Sequence, residues 1–577
     1  MGVIKPALPD LDLDDWAARP ESERVRLMCE SWATQGFGAP AVAYLFYLLK
    51  IALYLAIWVW FVSRSPTVDG FSDIGDWWHL PIAFQKAIVW TMLFEVLGLG
   101  CGSGPLTGRY VPPVVAFTHF LRPGTIRLPA FPAHVPLTAG HRRSIVDVGL
   151  YAALVGLCLR ALFSSNSLLA TEDLWPIIVV LAVLGLRDKT VFLAARAEHY
   201  WTTLIVFALA DGDLGAMFAG AMAVQLAIWW GAATSKLNHH FPNVVTIMVS
   251  NSPILRVPAV KRAMYRAYPE DLRPSRLAAA LAHGGTVIEF VFPLVLALTL
   301  GSTATTVALV VMLLFHLFIT SCFPMGVPIE WNVLFVYSMF FLFADLSLGD
   351  HGAIALTDVT GKPIVLVALA IGLLVGPVLG NLRPDKVSFL PGMRYYAGNW
   401  AASLWLFRKD ADGGDCSTVL DDCLTKTAGT INRQLAVLYD EDTIRAVNGK
   451  LRAFRSMHLH GRALNALLPT VVDDLEAYAV NEGEGMAGVI LGWNFGDGHL
   501  HHEQLLAAVQ AECGFAPGDL RVLALESQPA GKPWMHWRVI DAADGLQAEG
   551  RVVVADLLAH QPWPETGAID LHPAGAR

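Results

Sequence analysis

Apolar stretches about as long as a bilayer is thick recur through the first two thirds of this chain, and no other feature limits its fold so strongly. A hydrocarbon core of about 30 Å takes about 20 apolar residues in a helix, because a helix satisfies its backbone polar groups within one segment. Windows of about 19 residues mark spans at 41–62, 82–100, 145–163, 174–188, 190–210, 215–237, 284–300, 304–323, 331–348 and 362–380. About ten crossings are expected. Charged residues make up 16% of the chain, against about 25% in soluble domains. The net charge of -9 is spread without a basic tract, which excludes nucleic acid as a partner.

Lys and Arg gather in alternate loops. Arg109, Arg122, Arg127, Arg142 and Arg143 follow the second span, and Lys261, Arg262, Arg266, Arg273 and Arg276 lie at 238–282. Loops 164–173, 211–214 and 301–303 carry no Lys or Arg. The positive-inside rule then predicts a multi-pass protein of the cell membrane with both termini in the cytoplasm. Residues 1–40, with Asp10, Asp12, Asp14 and Asp15, are too acidic for a signal peptide and read as a polar cap lying along the membrane surface.

Beyond Arg383, Pro384 and Lys386 the composition turns polar. Helical patterns at 417–438 and 442–456 precede alternating stretches at 519–526, 533–541 and 547–554, joined by Pro/Gly and Asp/Gly turns. The expected fold is a predominantly α-helical polytopic membrane protein, with a polar cap at 1–40, a transmembrane domain at 41–382 and a small soluble α+β domain at 383–577 that ends in an antiparallel meander. The seven Cys show no C-x-x-C pair, so neither a disulfide framework nor a cysteine metal site is expected.

Ionisable groups inside spans cost about 2.5–3.5 kcal/mol each on insertion scales, so each is a candidate for function. They are Lys50, Lys86, Glu95, Arg160, His199, Lys236, Glu289, His316 and Glu330. Long cations such as Lys50, Lys86 and Arg160 commonly snorkel or form structural pairs, with Glu95 as a partner for Lys86 or Lys50. Lys236 ends the run Trp229-Trp230-Gly231-Ala232-Ala233-Thr234-Ser235. Small residues there permit close helix packing, and a desolvated amine makes a usable base. A lysine snorkelling at a span end fits the same residues.

Three motifs resemble a known family when taken in order. Gly231 to Asn238, then His283-Gly284-Gly285, then Phe315-His316 followed by Phe323 and Gly326, resemble the membrane domain of vitamin K-dependent γ-carboxylases and their HTTM-type bacterial relatives. The resemblance covers roughly 190–345. It implies Lys236 as base, His316 and His283 shaping the pocket, a fainter match at His199, and Glu289 near an acid of the family. Trp230, Gly284, Gly285, Phe315 and Phe323 would line the cofactor site, with Gly284 and Gly285 opening a helix whose amides face an oxyanion. It further implies a quinol cofactor, menaquinol or vitamin K-like, with no metal, and carboxylase or epoxidase chemistry on a second substrate. The chain also resembles an uncharacterised family of bacterial multi-pass membrane proteins.

A rival reading makes the chain a lipid or small-molecule transporter, or a lipid-binding scaffold whose C-terminal domain recruits a protein. Asn238-His239-His240 reads as an interfacial group, and His499, His501 and His502 as a polar turn entering a helix. On a strand, His499 and His501 would share a face with Glu503 nearby, as for zinc, although no further ligand is evident. No Gly-rich phosphate loop or G-x-S-x-G elbow is present.

Overall fold

The computed structural model describes all residues except 1, 69–72, 101–114, 323–328, 345–353, 383–396, 411–419, 421–423, 425–434, 437, 494–497, 565–568 and 574–577. The Asp12 carboxylate accepts the amides of Asp14 and Asp15 and starts α1 (Leu13–Ala18). A longer helix, α2 (Glu21–Gln35), follows Pro20 and stops at Gly36, whose φ of 61° suits glycine. Its buried Val25, Met28, Cys29, Trp32 and Ala33 recur every three or four residues, so they form one stripe.

Among the described residues, six helices are long and apolar enough to cross a membrane: α3 (Ala41–Val62), α5 (Ile145–Leu162), α8 (Leu214–Ser235), α10 (Arg276–Leu298), α11 (Thr303–Cys322) and α13 (Pro363–Leu382). Shorter helices are α4 (Pro81–Val96), α6 (Thr171–Arg187), α7 (Tyr200–Ala210), α9 (Phe241–Asn251) and α12 (Ile329–Phe343). From Ile82 to Val96 every residue of α4 is buried, which makes it the centre of the bundle. The outer helices expose Leu48, Leu53, Val287, Leu298, Leu314 and Leu374, and such faces are stable only against lipid.

Several boundaries differ from those expected. The span at 190–210 is broken, because a short helix ends at Ala194, Arg196 takes a φ of 49°, and α7 starts at Tyr200. The span at 284–300 begins earlier, where the Ser275 side chain accepts the Ala278 amide and caps α10. The second span ends at Val96 rather than residue 100. The end of the 331–348 span falls outside the described residues.

Lys86 and Lys50 are held differently from each other. The Lys86 amine donates to the carbonyls of Phe61 and Ser164 at 2.8 and 2.9 Å. Lys50 forms an ion pair with Glu330 at 3.2 Å, a pairing that the sequence alone did not suggest. Arg160 pairs with Asp173 at 2.9 Å on the exposed surface. Two arginines of the basic loop are structural, since Arg143 meets Asp188 at 2.8 Å and Arg127 meets Asp147 at 3.4 Å, all with buried side chains.

The C-terminal domain carries a five-stranded antiparallel sheet in the order β4-β3-β5-β6-β7. These strands are β3 (Ala402–Arg408), β4 (Tyr478–Glu482), β5 (Leu520–Leu525), β6 (Trp534–Asp541) and β7 (Gly545–Val553); β1 (Tyr265–Ala267) and β2 (Asp271–Pro274) form a separate hairpin. The expected meander is present in β5, β6 and β7. Alternation sorts the strands' residues: Leu404, Leu406, Leu523 and Leu525 pack on α15 (Leu459–Val471). Trp405, Phe407, Leu520 and Val522 face α16 (Gly483–Leu491) and α17 (Glu503–Cys513). Helix α14 (Glu441–Met457) begins at the expected place, whereas most of the 417–438 pattern lies outside the described residues. Cys29, Cys158 and Cys322 are free and buried, but Cys513 is disulfide-bonded, a bond the scattered spacing did not announce.

The N-terminal cap packs on the C-terminal domain. The α2 stripe packs with Val447, Ala453 and Met457 of α14, and Arg445 meets Asp14 at 2.8 Å. Lys450 donates to the carbonyls of Ala7 and Phe37 at 2.5 and 3.0 Å. The basic loops reach the same domain: Arg142 pairs with Glu512 at 2.5 Å, and Arg462 donates to Asn243 at 2.8 Å. The segments expected to share one side of the membrane therefore touch one another.

Candidate functional site

Small residues bring α8 close to its neighbours, and its last turn delivers a cation into apolar surroundings. Lys236 is the residue that ends α8, and it is only 9% exposed. Its amine forms an ion pair with the Glu289 carboxylate from the middle of α10, a side chain that is 6% exposed. The rings of Phe241 and Phe315 lie 5.4 and 5.6 Å from the amine, which adds cation–π attraction. Trp230 donates to the Phe290 carbonyl at 3.2 Å and ties α8 to α10.

His316 lies on α11 beside this pair. Its Nε2 is 3.1 Å from the Trp229 indole nitrogen and its Nδ1 is 3.0 Å from Asn332 Oδ1. An indole only donates, so Nε2 accepts, Nδ1 carries the proton and donates to Asn332, and the ring is neutral. His199 repeats the arrangement, its Nδ1 accepting from the Trp331 indole at 3.2 Å. Phe335 joins the two histidines, with ring centroids 5.2 Å from His199 and 5.8 Å from His316. A continuous aromatic seam thus runs from His199 to Trp229. Arg196 caps one end, its guanidinium 5.1 Å from the Trp331 ring.

The structure unites Lys236, Glu289, His316, Phe315 and, through Phe335, His199. It does not bring His283 and Gly284 to them. His283 and Gly284 lie on the exposed face of α10. Gly285 faces Phe315, where an added Cβ would stand 3.5 Å from the ring. Both glycines are inside the helix rather than at its start, so their amides are used within the helix and the expected oxyanion role is corrected. Phe323 and Gly326 lie outside the described residues. His240 is no interfacial side chain either: it is buried, and its Nε2 meets Gln528 of the C-terminal domain at 2.9 Å. Trp331, Asn332 and Phe335 went unread in the sequence. Their only signal was the i, i+4 spacing of two rings on one helix face.

The family model that matches this sequence is described as a transmembrane protein of unknown function (DUF3556), and it covers residues 1–574. The chain belongs to that family. Of the two resemblances, the one to a multi-pass membrane family without an assigned activity is thus supported, and nothing found supports kinship with γ-carboxylases. No curated protein and no solved structure matches it.

A buried Lys–Glu pair is neutral overall, whether the shared proton rests on nitrogen or on oxygen. It can therefore take up a proton from an acidic hydroxyl and retain a cation to face the anion left behind.

Proposed function

We propose that this chain is a membrane-embedded enzyme acting with a lipid-soluble quinol, and that the Lys236–Glu289 pair is its base. The observation that carries the proposal is that pair itself, dry and lined by Phe241 and Phe315. A hydroquinone O–H approaching the pair gives its proton to the carboxylate, and the phenolate oxygen that remains faces the Lys236 ammonium. The charge never stands alone in an apolar medium, where an unpaired ion is costly. The aromatic seam from Trp229 to His199 offers stacking faces to a quinone ring. His316 and His199, each with an acceptor nitrogen held by an indole, orient rings rather than move protons. The second substrate is left open, and carboxylation or epoxidation are the reaction classes considered.

The finer membrane arrangement belongs to the same proposal. Helices α4, α6, α7 and α12 join the six long ones to give about ten crossings. The termini and the C-terminal domain face the cytoplasm of the cell membrane, because the basic loops sit against that domain. A protein partner is recruited through this same domain.

Mass spectrometry of lipids bound to the purified protein tests the proposal. Wild type should retain a quinone, and Lys236→Ala should retain the quinone without any epoxide or carboxylated product. Wild type devoid of quinone, or products unchanged in Lys236→Ala, would refute it. Net lipid movement without a product would favour the transporter.

A further inference from the structure

We propose that the C-terminal domain holds a divalent transition-metal ion on His499, His502 and Glu526. The three offer ligand atoms all within 4.8 Å of one another. No residue of the membrane site takes part, so the two proposals stand or fall separately.

Local geometry explains why these residues meet. Residues 498–501 form a 3-10 turn that leads into α17. His499 lies in this turn and His502 just beyond it, and their ring centroids stand 5.5 Å apart. A strand would have paired His499 with His501 instead, as the sequence suggested. His501 points elsewhere: its Nδ1 meets Ser403 Oγ at 2.7 Å, and its carbonyl accepts from Ser403 and from Trp405 Nε1 at 3.0 and 3.2 Å. These bonds from β3 fix the backbone between the two ligand histidines. Glu503 is also engaged elsewhere, with Arg538 at 2.5 Å. The third ligand comes from the end of β5, which no local motif could reveal.

His502 supplies the observation that points to an ion. It is 2% exposed, and its Nε2 lies 3.3 Å from the Ala402 carbonyl, to which it donates. That bond fixes the tautomer and leaves a lone pair on Nδ1, which is buried and has no hydrogen-bond partner. An orphaned acceptor inside a protein costs stability, and a metal removes that cost. Metal-bound histidines commonly donate their other N–H to a backbone carbonyl in this way. Glu526 is similarly set, since one oxygen accepts from the Ser527 amide and hydroxyl at 2.8 Å each. Its other oxygen meets His499 Nε2 at 2.8 Å.

Bonds of about 2.0–2.2 Å place tetrahedral ligand atoms about 3.3–3.6 Å apart, so the cluster closes on an ion with small side-chain rotations. Two imidazoles and one carboxylate suit zinc or ferrous iron, and three protein ligands leave a position open for water or substrate.

The test uses the full chain in detergent, stripped with a chelator and then titrated with Zn2+. Wild type should bind one Zn2+ per chain, and His502→Gln and Glu526→Gln should each weaken it at least tenfold. His134→Gln, an exposed control, should bind as wild type does. Binding should also protect the His499 and His502 peptides of wild type from diethyl pyrocarbonate, a readout that needs no variant to fold. Elemental analysis of the protein as isolated separates zinc from iron. Absence of stoichiometric binding, or unchanged binding in both variants with no protection of those peptides, would overturn the proposal.

Discussion

Removing either member of the Lys236–Glu289 pair should destabilise the bundle, whereas removing both should not. An exposed ion pair is worth about 0–1 kcal/mol, but these side chains are 11% and 6% exposed, with phenyl rings against the cation. Lys236→Met leaves a buried carboxylate without its cation, and Glu289→Leu leaves a buried ammonium facing only rings. Each single change should cost about 3–5 kcal/mol. At about 2 °C per kcal/mol for a large folded unit, the melting midpoint should fall by about 6–10 °C. The double variant replaces the pair with apolar groups of similar volume and should recover to within about 2 kcal/mol of wild type. The implied coupling is at least about 4 kcal/mol, because two losses of about 3 kcal/mol or more collapse to about 2 kcal/mol or less. Thermal aggregation followed by size-exclusion chromatography in detergent reads all four proteins under one condition. Additive losses, or single variants as stable as wild type, would refute a dry, mutually dependent pair. Recovered stability without recovered quinol turnover would separate the pair's structural role from its chemical one.

Two further predictions rest on other residues. Burial pushes Lys450 down to about 8, below the usual lysine value of about 10.4. Below about pH 8 the lysine is charged in both states and the whole burial penalty is present. Between about pH 8 and 10 the unfolded chain binds more protons, so docking of the N-terminal segment should strengthen as pH rises. Hydrogen exchange of residues 21–35 in wild type should show this slope, and in Lys450→Met the slope should vanish; equal slopes would contradict the assignment. Trp229→Phe removes the donor to His316 Nε2 and frees that nitrogen. It should move the His316 Nε2 resonance in histidine-labelled NMR toward that of an unbonded ring nitrogen, and an unchanged resonance would mean that the indole does not hold the ring.

Much of the bundle was legible because lipid imposes one rule on every span. The limits read at 41–62, 145–163, 215–237, 304–323 and 362–380 fall within two residues of the helices at Ala41–Val62, Ile145–Leu162, Leu214–Ser235, Thr303–Cys322 and Pro363–Leu382. Apolar windows failed where a helix carried charge or a kink. Arg276 and His283 hid the first two turns of α10, and a left-handed Arg196 broke an apolar run that showed no Gly or Pro. The strands at 520–525, 534–541 and 545–553 were visible through alternation and turn residues.

The candidate sites were legible only in part, because partners came from far along the chain. Lys236 and Glu289 were each singled out by their cost in an apolar span, but not their pairing. Asn332, Trp331 and Phe335 carry no charge and so gave no warning. Glu526 joins His499 and His502 across a strand order that no local pattern encodes. Docking of α2 on α14 was missed for the opposite reason: a modest apolar stripe in an acidic segment fits a membrane surface as well as a protein partner.

The central claim is that a quinone ring lies against the seam beside Lys236. Photocrosslinking with a photoactivatable quinone analogue, followed by peptide mapping, tests it most directly. Adducts should concentrate on residues 229–241, 315–316 and 331–335, and excess unlabelled quinone should suppress them. Adducts confined to the lipid-facing side chains of Val287, Val291 and Leu314, and indifferent to competitor, would contradict it.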